Sequence, residues 1–495
     1  METRVWHLYA ASLLLFAVMF GIWHVEPVPP LAWLSGCFVW AVATFPLTIW
    51  YQRHQRGLPM FELVCIAYGF AYGVALFTTP DWIVIASHRI DLDWDLIEWA
   101  ALLAGMGVFT GILTFFAVNR SLAHFGMGPL SLAVPVSTRT PYIAACLSLG
   151  LAAKVFDLFH PSSEAAYGAI VTAAAGQFYI GLVVLAYDSF QGQKSQVPLI
   201  AVTAFATAIG LLGGMMETAM LPLVLVIIVR WYVRRRLSLV LAALTALFFF
   251  VVNPIKYQYR ELTWSGQESV SAADRVLNWL QAAQTTYLDF KDPLANNPDE
   301  EADTPIDGTM QRIDLLHKFA YIESMTPHTV PYLGGLSYNY LLYTFIPRLI
   351  WPDKPKATES TDLVDFAYGF RFYDQENRGT NIGAGFIAEA YANFSWWGVI
   401  MVLGIQGVIF GVLDRLLNDD RYIGGQAIYA TVMMLFLNGI GTSAVVLFGN
   451  IVQFTVVSIL FQRLFCGSAA FLRRDVQFGR AAPPSRMLRP TVGTK

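Results

Sequence analysis

Apolar runs long enough to cross a bilayer recur along most of the chain. A helix needs about 20 apolar residues to span the hydrocarbon, and somewhat shorter runs span where the bilayer thins. Such runs lie at 7–24, 31–51, 61–79, 97–118, 129–152, 167–187, 197–214, 217–232, 237–253, 392–413, 424–442 and 445–465. The pattern predicts an all-α polytopic membrane protein with about 12 transmembrane helices: about nine in residues 1–253 and about three in 391–466. The stretch 197–232 reads as two helices or as one kinked helix. The basic loop 230–236 favours two, because one helix fewer would carry it to the other side.

Residues 254–390 break the pattern and form one long loop domain between the two groups of spans. Within it, 271–290 reads as an amphipathic helix, with Val276, Leu277, Leu280, Ala283, Tyr287 and Leu288 at helical spacing. The Asp-, Asn- and Pro-rich stretch 291–309 reads as an exposed loop, and 310–330 as helical again. Tyr338 to Trp351 is apolar but too short to cross; Pro347 and Arg348 suit it to a re-entrant or interfacial segment. No fixed-period repeat is present. The tail 467–495 is expected to be cytoplasmic, and disordered from Gly479.

Composition agrees with membrane residence. The chain is 56% hydrophobic and 14% charged, whereas soluble chains carry roughly a quarter charged residues. A net charge of −3 leaves no basic excess for nucleic acid. Cys37, Cys65, Cys146 and Cys466 lie in or beside apolar runs, at spacings that fit neither a disulfide framework nor a zinc site. The first run lacks a small-x-small cleavage site, so a retained signal anchor is expected. With the N-terminus inside, the short inside loops hold Arg53, Arg56, Arg120, Lys194, Arg230, Arg234, Arg235, Arg236, Arg415 and Arg421. The short outside loops hold little beyond Arg89 and Lys154. The positive-inside bias then places both termini in the cytoplasm and 254–390 outside.

Polar chemistry is densest in 347–393. Arg348, Asp353, Lys354, Arg371, Arg378 and Glu389 alternate there with Trp351, Tyr391 and Asn393. Several cations at a bilayer boundary suit an anionic lipid headgroup such as a pyrophosphate, since Arg binds phosphate bidentately and Lys supplies a point charge. The same cations could simply anchor helices to lipid phosphates. Glu389, at the edge of a span, could act as a proton acceptor or could face the dipole of its own helix. Gly383 and Gly385 fit a turn or close packing; the partial dinucleotide fingerprint Gly383-x-Gly385-x-x-Ala388 has no strand before it. Asp91, Asp93 and Asp95 alternate as metal-binding aspartates do, or cap the next helix. Arg139, between Pro135 and Pro141, marks either a broken helix lining a cavity or an internal ion pair, and Glu217 sits at an outside hairpin tip. His317 and His328 could serve in acid–base roles.

The order of about nine spans, a long outer loop and about three spans is joined to two motifs. These are Pro-Arg-Leu-Ile-Trp-Pro-Asp-Lys-Pro at 347–355 and Gly-x-Gly-Phe-x-x-Glu-x-Tyr-x-Asn-Phe at 383–394, which runs into Trp397-Gly398. Together they resemble the Wzy-type polymerases of O-antigen and exopolysaccharide repeat units. The motifs cover roughly 50 residues and the topology most of the chain. The resemblance implies a GT-C-like or O-antigen-ligase-like helical fold in the bacterial inner membrane. It implies a metal-independent glycosyltransferase without a cofactor, acting on undecaprenyl-pyrophosphate-linked oligosaccharide units at the periplasmic face, with membrane lipids, a flippase and a chain-length regulator as partners. On this expectation Arg348, Arg371, Arg378 and Lys354 handle the pyrophosphate. Glu389 takes the proton of the acceptor hydroxyl. Asp353, Trp351, Tyr391, Asn393 and Arg139 line the substrate.

Three alternatives remain open at this point. An O-antigen-type ligase would use similar residues on another acceptor. A transporter of lipid-linked glycans would show internal repeats and a midplane site, and a scaffold subunit would use the loop for docking alone.

Overall fold

The computed structural model describes residues 2–85, 88–159, 168–264, 271–287, 313–344, 346, 351, 353–370 and 383–466. The helices of the first group are α1 (Glu2–Ile22), α2 (Pro30–Gln52), α3 (Met60–Thr78), α4 (Trp94–His124), α5 (Val136–Phe159), α6 (Gly168–Phe190), α7 (Val197–Leu212), α8 (Met216–Arg234) and α9 (Leu239–Val252). The intervening segment folds as α10 (Ile255–Trp264), α11 (Ala272–Tyr287), α12 (Leu316–Met325), α13 (Tyr340–Thr344) and α14 (Glu359–Ala367). The second group is α15 (Phe386–Leu417), α16 (Ile423–Asn438) and α17 (Ala444–Cys466).

Every predicted apolar run is a helix. Among the described residues nine helices are long and apolar enough to cross a membrane, and α7, α9 and α16 are shorter apolar helices. The chain is thus a mostly helical, multi-pass membrane protein. Two differences have local causes. The pattern predicts a span from 129, but Pro129–Pro135 is not helical and the helix starts at Val136, because prolines at both ends of that stretch disfavour helical backbone. The predicted outside loop before α4 contains a two-stranded antiparallel hairpin, β1 (Trp82–Ile85) and β2 (His88–Asp91), registered Trp82↔Asp91 and Ile83↔Ile90. The predicted loop 291–309 and the tail 467–495 lie outside the described residues.

The connections gather at two ends of the bundle. At one end Gly57 N–H donates to Asp420 Oδ1 (2.9 Å), Leu58 N–H to Asn418 Oδ1 (2.8 Å) and Leu130 N–H to Leu416 O (2.9 Å). Tyr232 also reaches Asp420, and Arg235 reaches Gln55 O. The connections after α2, α4, α8 and α15 therefore share one end, which holds Arg53, Arg235, Arg415 and Arg421. At the other end Val25 N–H donates to Phe77 O (3.0 Å), and the turns at 333–335 and 439–443 close over the start of α15.

The central seam is α4 against α15. Small residues let these backbones touch: a Cβ at Gly407 would stand 2.1 Å from Gly111 O, and one at Gly107 would stand 2.8 Å from Val399 Cγ1. Thr114 Oγ1 crosses the seam to Gly404 O at 2.9 Å. In lipid such close approach supplies the dispersion that a hydrophobic effect between helices cannot. The seam fixes α15, and α15 carries the predicted acid. Helix α16, almost wholly buried, fills the centre behind it.

Candidate functional site

Helix α15 is two helices joined at a break. Phe394 (φ −139°, ψ 22°) and Ser395 (φ 61°, ψ −158°) leave helical geometry, and every residue from Phe386 to Asn393 is buried. A break exposes carbonyls that lose their intrahelical partners. Here Leu333 N–H donates to Ala392 O (2.9 Å), Gly334 N–H to Asn393 O (3.2 Å) and Gly335 N–H to Asn393 Oδ1 (2.9 Å). Gly334 and Gly335, at φ 59° and 91°, turn these three donors the same way. The other glycine pair works at the start of the helix. A Cβ on Gly383 would stand 2.3 Å from Gly441 O, so this residue lets the chain press against the 439–443 turn.

Glu389 sits inside this frame, 2% exposed. Its Oε1 accepts from Ser337 Oγ–H (2.7 Å) and its Oε2 from the N–H of Ala444, the first residue of α17 (2.7 Å). Asn393 donates to Ser337 Oγ (2.9 Å) and to Glu389 O (2.8 Å), which orients the serine hydroxyl toward the carboxylate. The acid therefore faces the N-terminus of α17 and not that of its own helix. An anion is favoured there by the unpaired N–H groups and the helix dipole. Among the described residues Glu389 forms no ion pair.

A second pair lies on α12, which packs on both α4 and α15. Asp314 Oδ1 caps the helix by accepting from Leu316 N–H (2.8 Å) and His317 N–H (3.2 Å). Its Oδ2 holds His317 Nδ1 at 2.7 Å. His317 is 1% exposed, and its Nε2 has no hydrogen-bond partner. Three further buried oxygens without a partner belong to this neighbourhood: Tyr338 Oη, Glu323 Oε2, and Tyr72 Oη on the π-helical turn Gly69–Val74 of α3. Tyr72 packs its ring on Phe319 and its hydroxyl near Gly385. Such turns recur at functional sites. Buried polar atoms are nearly always paired in folded proteins, so a group of unpaired ones asks for a ligand or water. Burial, with the charge of Glu389 adding to it, holds the Tyr338 phenol well above the usual tyrosine value. Burial likewise pushes Glu323 up to about 8.

Aromatic faces surround these groups. Tyr391 meets Phe319 edge-on (5.6 Å between centroids) and Tyr332 (6.3 Å), and Tyr338 stacks on Phe394 (6.0 Å). Trp351, partly exposed, stands edge-on to Tyr343 at 5.7 Å.

The structure brings together Glu389, Asn393 and Tyr391 of the sequence-derived candidates. Lys354 lies against the end of α13. Its ammonium donates to Ile346 O (2.7 Å), Tyr343 O and Thr344 O (both 3.4 Å), and so ties down the end of α13, as lysines do at helix C-termini. Asp353 is exposed one residue before it. Arg348, Arg371 and Arg378 lie outside the described residues.

Arg139 is not brought to this site. It belongs to the first turns of α5 at the opposite, basic end, where it pairs with buried Asp188 at 3.0 Å and donates to Val134 O. Helix α5 begins after Pro135, so no broken helix surrounds it. Asp91 pairs with Arg89 at 2.8 Å, while Asp93 and Asp95 stand in the first turn of α4, where Asp93 occupies the N-cap position without a side-chain hydrogen bond to the helix. Glu217 occupies the first turn of α8, and His328 is exposed. Sequence reasoning missed Asp314, Ser337, Tyr338 and the Ala444 N–H. Only Asp314, three residues before His317 at a helix start, left a local trace.

No curated protein and no solved structure matches the chain. One family model does, described as a domain of unknown function, DUF8712, over residues 146–471. That match takes in Asp188, Asp314, His317, Ser337 and Glu389. It spans about two thirds of the sequence, and the chain belongs to the DUF8712 family.

Proposed function

We propose that this protein is a membrane glycosyltransferase that polymerises oligosaccharide units carried on undecaprenyl pyrophosphate, at the periplasmic face of a bacterial inner membrane. One observation carries the reading. A buried carboxylate, Glu389, is held by two neutral donors and no described cation, near the unpaired Tyr338 phenol and aromatic faces, where the long segment closes the bundle. Neutral donors orient a carboxylate and leave it able to accept a proton.

In the reaction the hydroxyl oxygen of the incoming unit bonds to the anomeric carbon of the growing glycan. The bond from that carbon to the pyrophosphate oxygen breaks, and the lipid pyrophosphate leaves with the electron pair. Glu389 takes the hydroxyl proton, with Ser337 and Asn393 fixing its direction. Arg348, Arg371 and Arg378 neutralise the leaving pyrophosphate, where preorganised charge is worth most. Tyr391 and Trp351 offer faces to sugar rings. Lys354 serves by ordering the segment before Trp351, and Arg139 by holding the basic end together.

The test uses purified protein in liposomes with lipid-linked repeat units from its host. A ladder of longer lipid-linked glycans from the wild type, lost in Glu389→Gln, is expected. Units that cross the bilayer unchanged in length would point to a transporter, and transfer only to a separate glycolipid acceptor to a ligase. Either result overturns the proposal.

A further inference from the structure

Helices α7 and α9 are too short for a bilayer of ordinary thickness. They hold 16 and 14 residues, a rise of about 24 and 21 Å against about 30 Å of hydrocarbon. Helix α8 between them is longer, at 19 residues, and carries Arg230 and Arg234 in its last turns at the basic end. With the basic end of the bundle at one headgroup level, helices of the length of α7 and α9 fall several ångströms short of the other, a gap close to the ~10 Å diameter of one helix.

The α10–α11 hairpin lies on that gap. Trp279 Nε1–H donates to Leu211 O (2.7 Å), Arg275 to Leu212 O (3.1 Å) and Leu158 O (3.4 Å), and Arg260 to Gly214 O (2.9 Å); Tyr259 Oη–H also reaches Leu212 O. These carbonyls lie at the ends of α5 and α7 and in the turn that follows α7, where helical hydrogen bonding runs out. Side chains satisfy them here, as a setting without bulk water requires. Trp279 stacks on Tyr259 (5.0 Å) to lock the two helices together.

The opposite face of α11 is open, apolar over its first half and carrying the exposed Gln284 one turn beyond Leu280. Leu277 and Leu280 are 60% and 64% exposed, with Val276 beside them. Tyr287 Oη–H donates to Val251 O (2.6 Å), which joins this stripe to the exposed lipid-facing side of α9 at Leu244, Leu247 and Val251. Asp274 and Gln281 lie on the other flank.

We infer that α10–α11 is an interfacial hairpin sunk into the headgroup–acyl boundary above a locally thin part of the bundle, with Val276, Leu277 and Leu280 against lipid chains. The occupant of the stripe is the bilayer, since the stripe continues a surface that already faces lipid. Its polar flank meets headgroups.

Spin labels at Leu277→Cys, Leu280→Cys and Gln281→Cys test this in full-length protein with the native cysteines replaced. The protein is reconstituted in vesicles of three parts phosphatidylcholine to one part phosphatidylglycerol, with folding checked by gel filtration. The ratio of oxygen to nickel-chelate collisions should be several-fold higher at 277 and 280 than at 281. Equal nickel access at all three positions would place the hairpin in water. Shielding of 277 and 280 from both reagents would mean a protein surface covers them. Either outcome overturns the inference.

Discussion

Removing the Glu389 carboxylate strands two buried donors, the Ser337 hydroxyl and the Ala444 N–H. Each costs about 1–3 kcal/mol when its acceptor is lost, so Glu389→Ala should destabilise the protein by roughly 2–6 kcal/mol before any cavity term. Glu389→Gln keeps the shape and one acceptor oxygen. It loses one hydrogen bond and the charge at the N-terminus of α17, a total of roughly 2 kcal/mol. The two variants thus separate folding from chemistry. Unfolding can be followed with a thiol-reactive dye, because Cys65, Cys146 and Cys466 are buried and react only on opening. The midpoint should fall in the order wild type, Gln, Ala. The glycan ladder should vanish in both, including the Gln variant at normal membrane levels. A Gln variant with a full ladder would remove Glu389 as proton acceptor. An Ala variant that melts with the wild type would show that the network holds nothing in place.

At the basic end, Arg139→Ala leaves Asp188 buried beside only the more distant Lys194 (3.8 Å) and should cost about 3–5 kcal/mol, whereas Arg139→Met with Asp188→Leu should recover most of it in the same dye assay. Gly407→Leu should abolish folded protein by gel filtration, because its Cβ alone falls 2.1 Å from Gly111 O; Gly128→Ala, with open space around it, should behave as wild type. Glu323 is raised in the fold to about 8 from an ordinary 4.5, so the folded state binds the extra proton between those values. Stability should therefore fall as pH rises from about 4.5 to about 8, and level off above. Glu323→Gln should remove that slope, melting like wild type near pH 5 and above it near pH 8.5. Asp314→Asn, which loosens His317 while conserving shape, should lower the polymerisation rate more than it lowers the melting midpoint.

Much of the fold was legible because the bilayer imposes a simple rule on side chains. Each of the twelve predicted spans holds a helix, and the arginine pattern separated the two ends, since Arg53, Arg235, Arg415 and Arg421 do share one end. Helix limits were less legible. Pro129–Pro135 is as apolar as the helix it precedes, and hydropathy cannot see its prolines. The Trp82–Asp91 hairpin is too short to show an alternation of its own. The site was legible only as a region. Glu389 meets Ser337 from 52 residues before it and Ala444 from 55 after it, separations that no spacing rule reaches. Lys354 shows the limit of counting charges: its ammonium answers helix-end carbonyls that only the folded chain places around it. Arg139 was marked by its depth, and depth alone could not tell an ion pair from a substrate contact.

The whole account depends on Glu389 and the segment over it facing the compartment where carrier-bound glycans arrive. Single cysteines at His328 and Gln193, both exposed and at opposite ends of the bundle, read this directly in a background without the native cysteines. A membrane-impermeant maleimide applied to spheroplasts should label His328→Cys at once and Gln193→Cys only after the membrane is opened. The reverse pattern would put the site on the cytosolic side and contradict the proposed reaction.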